Sequence, residues 1–174
     1  MTEATSGNQV EVTPELLHAA AGMTEVRSGH DLGVLRDQLL DRLTSRPYDS
    51  FSAGHELSIR WRRTATQIIT DGYIYDKKGC TDIVIAYIGL CRARALQARF
   101  VKVRSDSGRT HSLAEVMVEG EWWIVETVAR GTEPVCGEIT DDKPYKVWQL
   151  WRKGNDAWSV GLTAASDIGK VFSD

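Results

Sequence analysis

Cysteine and proline are scarce in this chain, whose 174 residues include three Cys and four Pro. An odd, small number of cysteines cannot build a disulfide framework, which excludes a disulfide-stabilised domain and indicates a reducing compartment. Charge of one sign is also lacking, because 21 basic residues against 24 acidic ones leave a formal net charge of −3. Such a balance provides no broad basic field for a polyanion, so we expect no nucleic-acid partner.

A long hydrophobic run is absent as well. The most apolar stretch, residues 83–96, contains Arg92 and Arg94 and is too short to span a bilayer. Residues 1–10 are polar and lack the basic and apolar regions of a secretory signal. We therefore expect a cytoplasmic protein without a membrane partner, with a flexible tail over 1–10 and a single domain over 11–174.

The hydrophobic pattern predicts helices in the first half of the chain and strands after them. Helices are expected over 14–21, 31–43 and 56–70, followed by a linker over 73–79 and a helix over 81–95 that is apolar nearly all round. Alternating patterns predict strands over 98–104, 112–118 and 122–128, and the last segment of the chain is expected to add another strand and a closing helix. This order predicts an α+β domain in which N-terminal helices and a buried central helix pack on an antiparallel sheet.

Cys80 stands directly after Gly79, at the start of the predicted central helix. Unpaired amides and the helix dipole at such a position favour an anion and lower the pKa of a thiol, which makes it a nucleophile. The alternative is a small buried side chain, a common fate of free cysteine. Cys91, within the same helix, fits that alternative, and Cys136 lies in a loop with no helix terminus or base nearby.

A nucleophilic thiol needs a base, and His111 opens one strand of the predicted hairpin. A two-residue turn at Glu119-Gly120 makes His111 and Glu126 diagonal neighbours on one face of that hairpin. Two interpretations of Glu126 remain open: an acid that orients the imidazole, or a carboxylate at a strand end that faces solvent. The other histidines are expected to be solvated or capping residues of the N-terminal helices: His18, His30 and His55.

Three spaced motifs within residues 54–130 resemble the transglutaminase-like superfamily, which has a papain-like fold. They are Gly-Cys-Thr-Asp at 79–82 with the helix and strand that follow it, Thr-His-Ser-Leu-Ala-Glu-Val at 110–116, and Trp-Trp-Ile-Val-Glu-Thr at 122–127. The chain departs from the usual family pattern in lacking a residue between Gly79 and Cys80, in having Leu113 where an aromatic is usual, and in having Glu rather than Asp at 126.

The resemblance implies that Cys80 is the nucleophile, His111 the base and Glu126 the orienting acid. It further implies acyl transfer through a thioester on peptide or glutamine amides, ending in hydrolysis or in transfer to an amine. The backbone N–H of Cys80 and one side-chain donor would hold the oxyanion. The candidate side-chain donors are Tyr73, Tyr75 and Trp61.

Two rival hypotheses accompany this one: a catalytically silent transglutaminase-like module that binds a protein or peptide partner, and a purely structural Cys80. No Cys-x-x-Cys motif, zinc-like spacing or Gly-rich phosphate loop occurs, so we predict no metal and no cofactor.

The basic run over 92–109, which includes Lys102, is expected to be a solvated face. The tryptophans of the second half are interpreted as core, or else as an aromatic wall beside a peptide groove: Trp122, Trp123, Trp148, Trp151 and Trp158.

Overall fold

The computed structural model describes residues 7–173, in which helices come first and an antiparallel sheet follows. The helices are α1 (Pro14–Ala21), α2 (Gly29–Arg42), α3 (Ala53–Ile59), α4 (Ala65–Asp71), α5 (Cys80–Ala93) and α6 (Lys170–Ser173). The strands are β1 (Thr44–Arg46), β2 (Tyr73–Tyr75), β3 (Ala98–Arg104), β4 (Thr110–Val118), β5 (Glu121–Val125), β6 (Val135–Cys136) and β7 (Gln149–Gly154). The predicted α+β class is confirmed.

Helix α5 is the central element of the fold. Every residue from Thr81 to Cys91 is buried, as expected for a helix that is apolar nearly all round. The helix packs on β3 and β4 on one side and on α1 and α4 on the other. Gly89 permits the approach of α4, because a Cβ at this position would lie 2.5 Å from the Cβ of Ala65. The helix ends at Ala93 rather than at 95, and Ala95 already has a left-handed φ of 60°.

The five-stranded sheet has the order β6-β5-β4-β3-β7, with every neighbouring pair antiparallel. In the β4–β5 hairpin Val118 pairs with Glu121, so the predicted two-residue turn at 119–120 is confirmed. Both turn residues, Glu119 and Gly120, have positive φ angles of 51° and 82°, as the favoured hairpin turns require. The strands begin at 110 and end at 125, rather than at the predicted 112 and 128.

The single helix predicted over 56–70 is wrong, because the chain forms α3 and α4 with a break between them. Trp61 in the break has a φ of 61° and is buried. Helix α4 then starts anew at Thr64, whose side chain caps the amide of Gln67 while the Gln67 side chain accepts a hydrogen bond from the Thr64 amide. Tertiary burial of the tryptophan thus overrides local helical periodicity.

The predicted tail over 1–10 is wrong for its last residues, and residues 1–6 lie outside the described part of the chain. Gln9 and Val10 are fully buried. The Gln9 side-chain amide donates to the carbonyl oxygens of Trp61 and Arg63 at 3.1 and 2.9 Å. These bonds give hydrogen-bond partners to the carbonyl oxygens in the break between α3 and α4. The segment around Gln9 therefore stabilises the break, in the region where the sequence predicts one helix.

Two features of the fold lie in segments that the sequence left as linker or without clear pattern. Strand β2, in the predicted linker, pairs in parallel with β1 and leads directly to α5. The far face of the sheet carries its own small core, which residues from the segment between β6 and β7 help to form. That second core comprises Val101, Val103, Leu113, Ile124, Ile139 and Tyr145. The expected further strand and closing helix are β7 and α6.

Among residues 7–173, no helix is both long enough and apolar enough to cross a bilayer.

Candidate active site

Cys80 is the first residue of α5, and its side chain is partly exposed. It lines a pocket of about 340 Å³ together with Ile74, Ile83, His111 and Val128. The preceding Gly79 allows β2 to pass close by, because a Cβ there would lie 2.9 Å from atoms of the Ile74 side chain. The Gly-Cys pair therefore lets the helix begin directly against the pocket wall.

The predicted pairing of His111 with Glu126 is present in the structure. The Nε2 atom of His111 lies 2.8 Å from Oε1 and 2.9 Å from Oε2 of Glu126. Both side chains are largely buried, with exposed fractions of 13% and 11%. Of the two interpretations left open for Glu126, the structure therefore shows the carboxylate bound to the imidazole rather than facing solvent.

The Cys80 and His111 side chains line the same pocket, and their interaction lowers the pKa of the thiol and raises that of the imidazole. Since Nε2 of His111 is occupied by Glu126, the ring nitrogen that remains for the thiol is Nδ1. The three residues stand in the order thiol, imidazole and carboxylate, brought together from the start of α5, the start of β4 and the position directly after β5. That order is the arrangement in which a base both accepts the thiol proton and is held in one orientation.

The charges around the thiol favour its ionised form. Burial raises the pKa of Cys80, but the hydrogen bond with His111 and the positive charges of Lys102 and His111 outweigh burial and lower this pKa from 9.0 to about 7. Burial lowers the pKa of His111, but the hydrogen bonds with Cys80 and Glu126 raise it from 6.5 to about 9. Between these two values the pair holds a thiolate and an imidazolium.

Asp82 lies in the first turn of α5 and could oppose a negative charge on Cys80. Its buried carboxylate instead accepts a hydrogen bond from Nη2 of Arg63 at 2.7 Å. The guanidinium compensates the acid, so the first turn of the helix remains compatible with a thiolate.

Arg36 is a supporting residue that sequence reasoning missed. It is 1% exposed, and its Nη1 donates to the carbonyl oxygens of Glu126 and Thr132 at 3.2 and 2.6 Å. These bonds fix the backbone of the segment that follows β5 and presents Glu126. The signal was available, because Arg36 stands one helical turn from Leu32 on the buried face of α2.

Trp148 stacks on the imidazole of His111, with ring centroids 5.2 Å apart and planes inclined by 33°. The guanidinium of Arg109 lies 5.4 Å from the centroid of the Trp148 ring. This tryptophan therefore contacts the candidate base, which the sequence could not indicate, since its position depends on the long segment before β7. Trp123 is packed against the main core instead, as the core interpretation expects.

The other two cysteines differ sharply from Cys80. Cys91 is fully buried, and burial raises its pKa to about 12 even though a hydrogen bond with Tyr87 opposes the rise. Cys136 is exposed on edge strand β6, and desolvation together with the Glu121 carboxylate raises its pKa. The Cys136 thiol lies 3.4 Å from Oε2 of Glu121.

The three proposed side-chain donors for an oxyanion are not among the residues that line the Cys80 pocket. The hydroxyl of Tyr75 lies 2.7 Å from Nδ1 of His55, and the ring of Tyr73 is covered by the guanidinium of Arg46. Trp61 is buried beneath Lys102, whose Nζ lies 5.4 Å from its ring centroid. The backbone N–H of Cys80, at the helix start, is the donor that the site geometry favours.

The expected solvated basic face over 92–109 is wrong at Lys102, which is 1% exposed. Arg99 in the same run is engaged in ion pairs with Glu115 and Glu138 at 2.7 and 2.5 Å.

Of the remaining histidines, His30 is exposed and contacts Glu133 at 3.1 Å. Within residues 7–173, no group of three or more His, Cys, Asp or Glu side chains is arranged to hold a metal ion.

The chain matches no protein-family model, and no curated protein is significantly similar to it in sequence. Two solved structures share its fold. A candidate cysteine protease from Cytophaga hutchinsonii has a TM-score of 0.58 and 16% identity, covering 88% of this chain and 48% of its own. LapG of Legionella pneumophila has a TM-score of 0.51 and 14% identity, covering 89% of this chain and 78% of its own. The chain thus spans about half the length of the Cytophaga protein, and its fold is transglutaminase-like, as the three motifs predict.

Proposed function

We propose that the protein is a cysteine-dependent enzyme that cleaves peptide bonds or glutamine side-chain amides through a thioester on Cys80. The observation that carries the proposal is the arrangement at the pocket: a thiol at the start of a buried helix shares the pocket with an imidazole whose Nε2 binds a buried carboxylate. Likeness in fold to a candidate cysteine protease supports cysteine-dependent proteolysis in general.

Between about pH 7 and pH 9 the resting site holds the proton on His111 and a thiolate on Cys80, because the pKa of Cys80 lies at about 7 and that of His111 at about 9. The Glu126 carboxylate stabilises the imidazolium and fixes the ring so that Nδ1 faces the sulfur. No proton needs to move before attack. The thiolate is therefore ready to react at neutral pH.

In the first step the Cys80 sulfur forms a bond to the carbonyl carbon of the amide, and the carbonyl π electrons move to oxygen. The oxyanion lies at the N-terminus of α5, where the Cys80 backbone N–H and the helix dipole stabilise negative charge. The apolar side chains of Ile74, Ile83 and Val128 line the pocket and lower the local dielectric around this charge, which strengthens the interaction.

In the second step the C–N bond breaks and the amine leaves. The imidazolium of His111 donates its Nδ1 proton to that amine, so a neutral amine departs and a thioester remains on Cys80. His111, now neutral, accepts a proton from an incoming water or a second amine as it attacks the thioester. Water yields a carboxylic acid, and an amine yields a new amide, with the thiolate and imidazolium restored in both cases.

The lining of the pocket supports an acyl group of modest size. Its volume is at the lower end of small-molecule sites, and its walls are apolar at Ile74, Ile83 and Val128. Besides Cys80 and His111, the polar side chains of the lining are Thr110 and the exposed Asp76 and Lys77. Such a lining fits the carbon chain of a peptide or glutamine side chain better than a charged group.

Intact-mass measurement tests the proposal directly. Wild-type protein is mixed with a pool of unstructured peptides, quenched in acid, and examined for an acyl adduct on Cys80 that hydroxylamine removes, as it does for a thioester. A fluorescent primary amine in a parallel reaction distinguishes transfer from hydrolysis. Cys80→Ala serves as the inactive variant and Cys91→Ala as the matched control on the same helix.

We expect the adduct and new peptide products with wild type and with Cys91→Ala, and neither with Cys80→Ala. Products that are identical for wild type and Cys80→Ala contradict the proposal. A folded wild-type protein that forms no adduct, and whose Cys80 reacts with alkylating agents no faster than Cys91, supports the silent binding module instead.

A further inference from the structure

Lys102 is a buried cation next to the proposed nucleophile. It lies near the middle of β3, opposite Ser112 on β4, and is 1% exposed. Its Nζ donates a hydrogen bond to Oγ of Ser112 at 3.0 Å and lies 5.4 Å from the ring centroid of Trp61. Within the part of the chain that the structure describes, no carboxylate forms an ion pair with it.

This lack of a counterion separates Lys102 from three buried acids of the fold. Glu56, Asp82 and Glu115 each contact an arginine at 2.6 or 2.7 Å. A buried ammonium without an anion is costly, because desolvation is not offset by attraction to an opposite charge. The anion that does interact with Lys102 is the thiolate of Cys80.

A chain of hydroxyl groups joins this ammonium to the thiol. Ser112 Oγ accepts from Lys102 Nζ and lies 2.8 Å from Oγ1 of Thr81, the residue after Cys80. Thr81 directly follows Cys80 in the first turn of α5, and its side chain helps to lower the pKa of the thiol. Because an ammonium has only donors, Ser112 must accept from Lys102 and is free to donate to Thr81, which leaves the Thr81 hydrogen for the sulfur.

We propose that Lys102 is a positioning residue for the Cys80 thiolate, which it stabilises by its charge and through hydrogen bonds passed along Ser112 and Thr81. The thiolate then has two cationic supports, one on each side of the helix start: the imidazolium of His111 toward the pocket and the ammonium of Lys102 toward the core. His111 leaves this role when it gives its proton to the leaving amine, whereas Lys102 takes no part in that proton transfer. The inference rests on the proposed function, since it concerns the same thiolate.

Other charged groups near the thiol do not replace this role. Arg60 interacts with both Cys80 and Lys102, but its guanidinium is held by both carboxylate oxygens of Glu56 at 2.6 Å. Asp82 is paired with Arg63, as described above. The ammonium of Lys102 is the remaining positive charge on the core side, and it carries no compensating acid.

The test is the pH dependence of Cys80 alkylation by iodoacetamide, measured by mass spectrometry for wild type and Lys102→Met. Methionine keeps the length and apolar stem of the side chain and removes the charge. We expect the midpoint of the Cys80 profile to rise by about one pH unit and labelling at pH 6 to fall about tenfold, with the plateau at high pH retained. The melting temperature should stay equal or rise, because an uncompensated buried charge is removed.

Two further variants separate charge from hydroxyl relay and from packing. Ser112→Ala deletes one oxygen and interrupts the relay while the ammonium remains, and we expect a smaller upward shift of the Cys80 midpoint. Lys102→Arg restores the charge, and we expect a midpoint closer to wild type than that of Lys102→Met. Lys153→Met is the matched control. Lys153 lies on β7, next to β3, and is paired with Glu115, so its removal should lower the melting temperature without moving the Cys80 profile.

The outcomes are distinguishable. A Cys80 profile in Lys102→Met and Ser112→Ala that superimposes on wild type overturns the role of Lys102, whatever happens to stability. A wild-type midpoint at the ordinary value for cysteine overturns the proposed function itself, because no thiolate then needs support. An equal shift in Lys153→Met also overturns the inference, since it shows a general effect of lost charge.

Discussion

Two thiols on one helix show how position determines chemistry. Cys80 begins α5 and Cys91 lies near its end, and both belong to the same apolar segment. Burial disfavours ionisation in both, yet the pKa of Cys80 is lowered to about 7 whereas that of Cys91 is raised to about 12. The difference comes from the groups that act on each thiol: the imidazole of His111 and the ammonium of Lys102 lower the pKa of Cys80, whereas burial dominates at Cys91.

An apolar helix can thus both stabilise the core and position the proposed nucleophile. Its interior residues bury one side against α1 and α4 and the other against β3 and β4, which fixes its axis. Its first residue is thereby held against the start of β4, where His111 lies. The stability of the core and the geometry of the proposed nucleophile are therefore properties of the same helix.

The largest effect should follow from removing each of the two thiols in turn. Cys80→Ala removes the sulfur that attacks the amide, so turnover of any substrate found in the peptide screen should fall about a thousandfold or more. Cys91→Ala leaves the site untouched and should retain wild-type turnover. The measurement is the rate of product formation. An equal loss of turnover in the two variants would contradict the distinction between the two thiols.

The second effect concerns the base. His111→Ala removes the hydrogen bond and the charge that lower the pKa of Cys80, so this pKa should return to about 9 or above. At pH 7 the thiolate fraction then falls roughly fiftyfold, from about one half to about one hundredth. Alkylation rates of Cys80 at pH 7 measure the change, and Cys91 in the same sample is the internal reference. A Cys80 rate that is unaffected would show that His111 does not control the thiol.

The third effect concerns the pH range in which Cys80 is a thiolate and His111 is an imidazolium. Turnover should follow a bell-shaped profile, because Cys80 gains a proton as pH falls through about 7 and His111 loses its proton as pH rises through about 9. Glu126 raises the pKa of His111, so Glu126→Gln should move the alkaline limb to lower pH and reduce turnover about tenfold.

Glu121→Gln, at the exposed start of the same strand, is the matched control and should leave the profile in place. An alkaline limb that stays at about 9 in Glu126→Gln would contradict the role of this carboxylate.

The smallest effect on chemistry should come from Arg36, which acts on backbone rather than on reacting groups. Arg36→Met leaves the carbonyl oxygens of Glu126 and Thr132 without their buried donor and should lower the free energy of unfolding by about 2 kcal/mol. Turnover should fall only a few-fold, because Glu126 still reaches His111 in the folded protein. Chemical denaturation measures the first change, and Arg42→Met at the exposed end of α2 is its control. An equal loss of stability in both variants would contradict the account.

The sequence predicted the relative placement of Cys80, His111 and Glu126 better than it predicted the helices around them. The register that brings His111 to Glu126 follows from a two-residue turn and a period of two, both of which are local signals. The helix start at Cys80 follows from an apolar run that begins after Gly79. These local rules were sufficient because the site is built at the ends of regular elements.

The missed features depend on contacts between distant parts of the chain. The break at Trp61 is held by Gln9, about fifty residues earlier, so no local pattern predicts it. Trp148 reaches His111 through a long irregular segment. Lys102 did leave a signal, because it shares the inward parity of Phe100 on β3, but a lysine in a basic run is ordinarily solvated.

The most direct test of the account is the alkylation profile of Cys80 between pH 5 and pH 10, with each cysteine quantified separately by mass spectrometry. The midpoint depends on thiolate formation and not on intrinsic nucleophilicity, which makes it a cleaner measure than a single rate. We predict a Cys80 midpoint at about 7, with Cys136 titrating above 9 and Cys91 unreactive throughout this range. A Cys80 midpoint at or above 9 would contradict the thiolate–imidazolium pair and, with it, the proposed function.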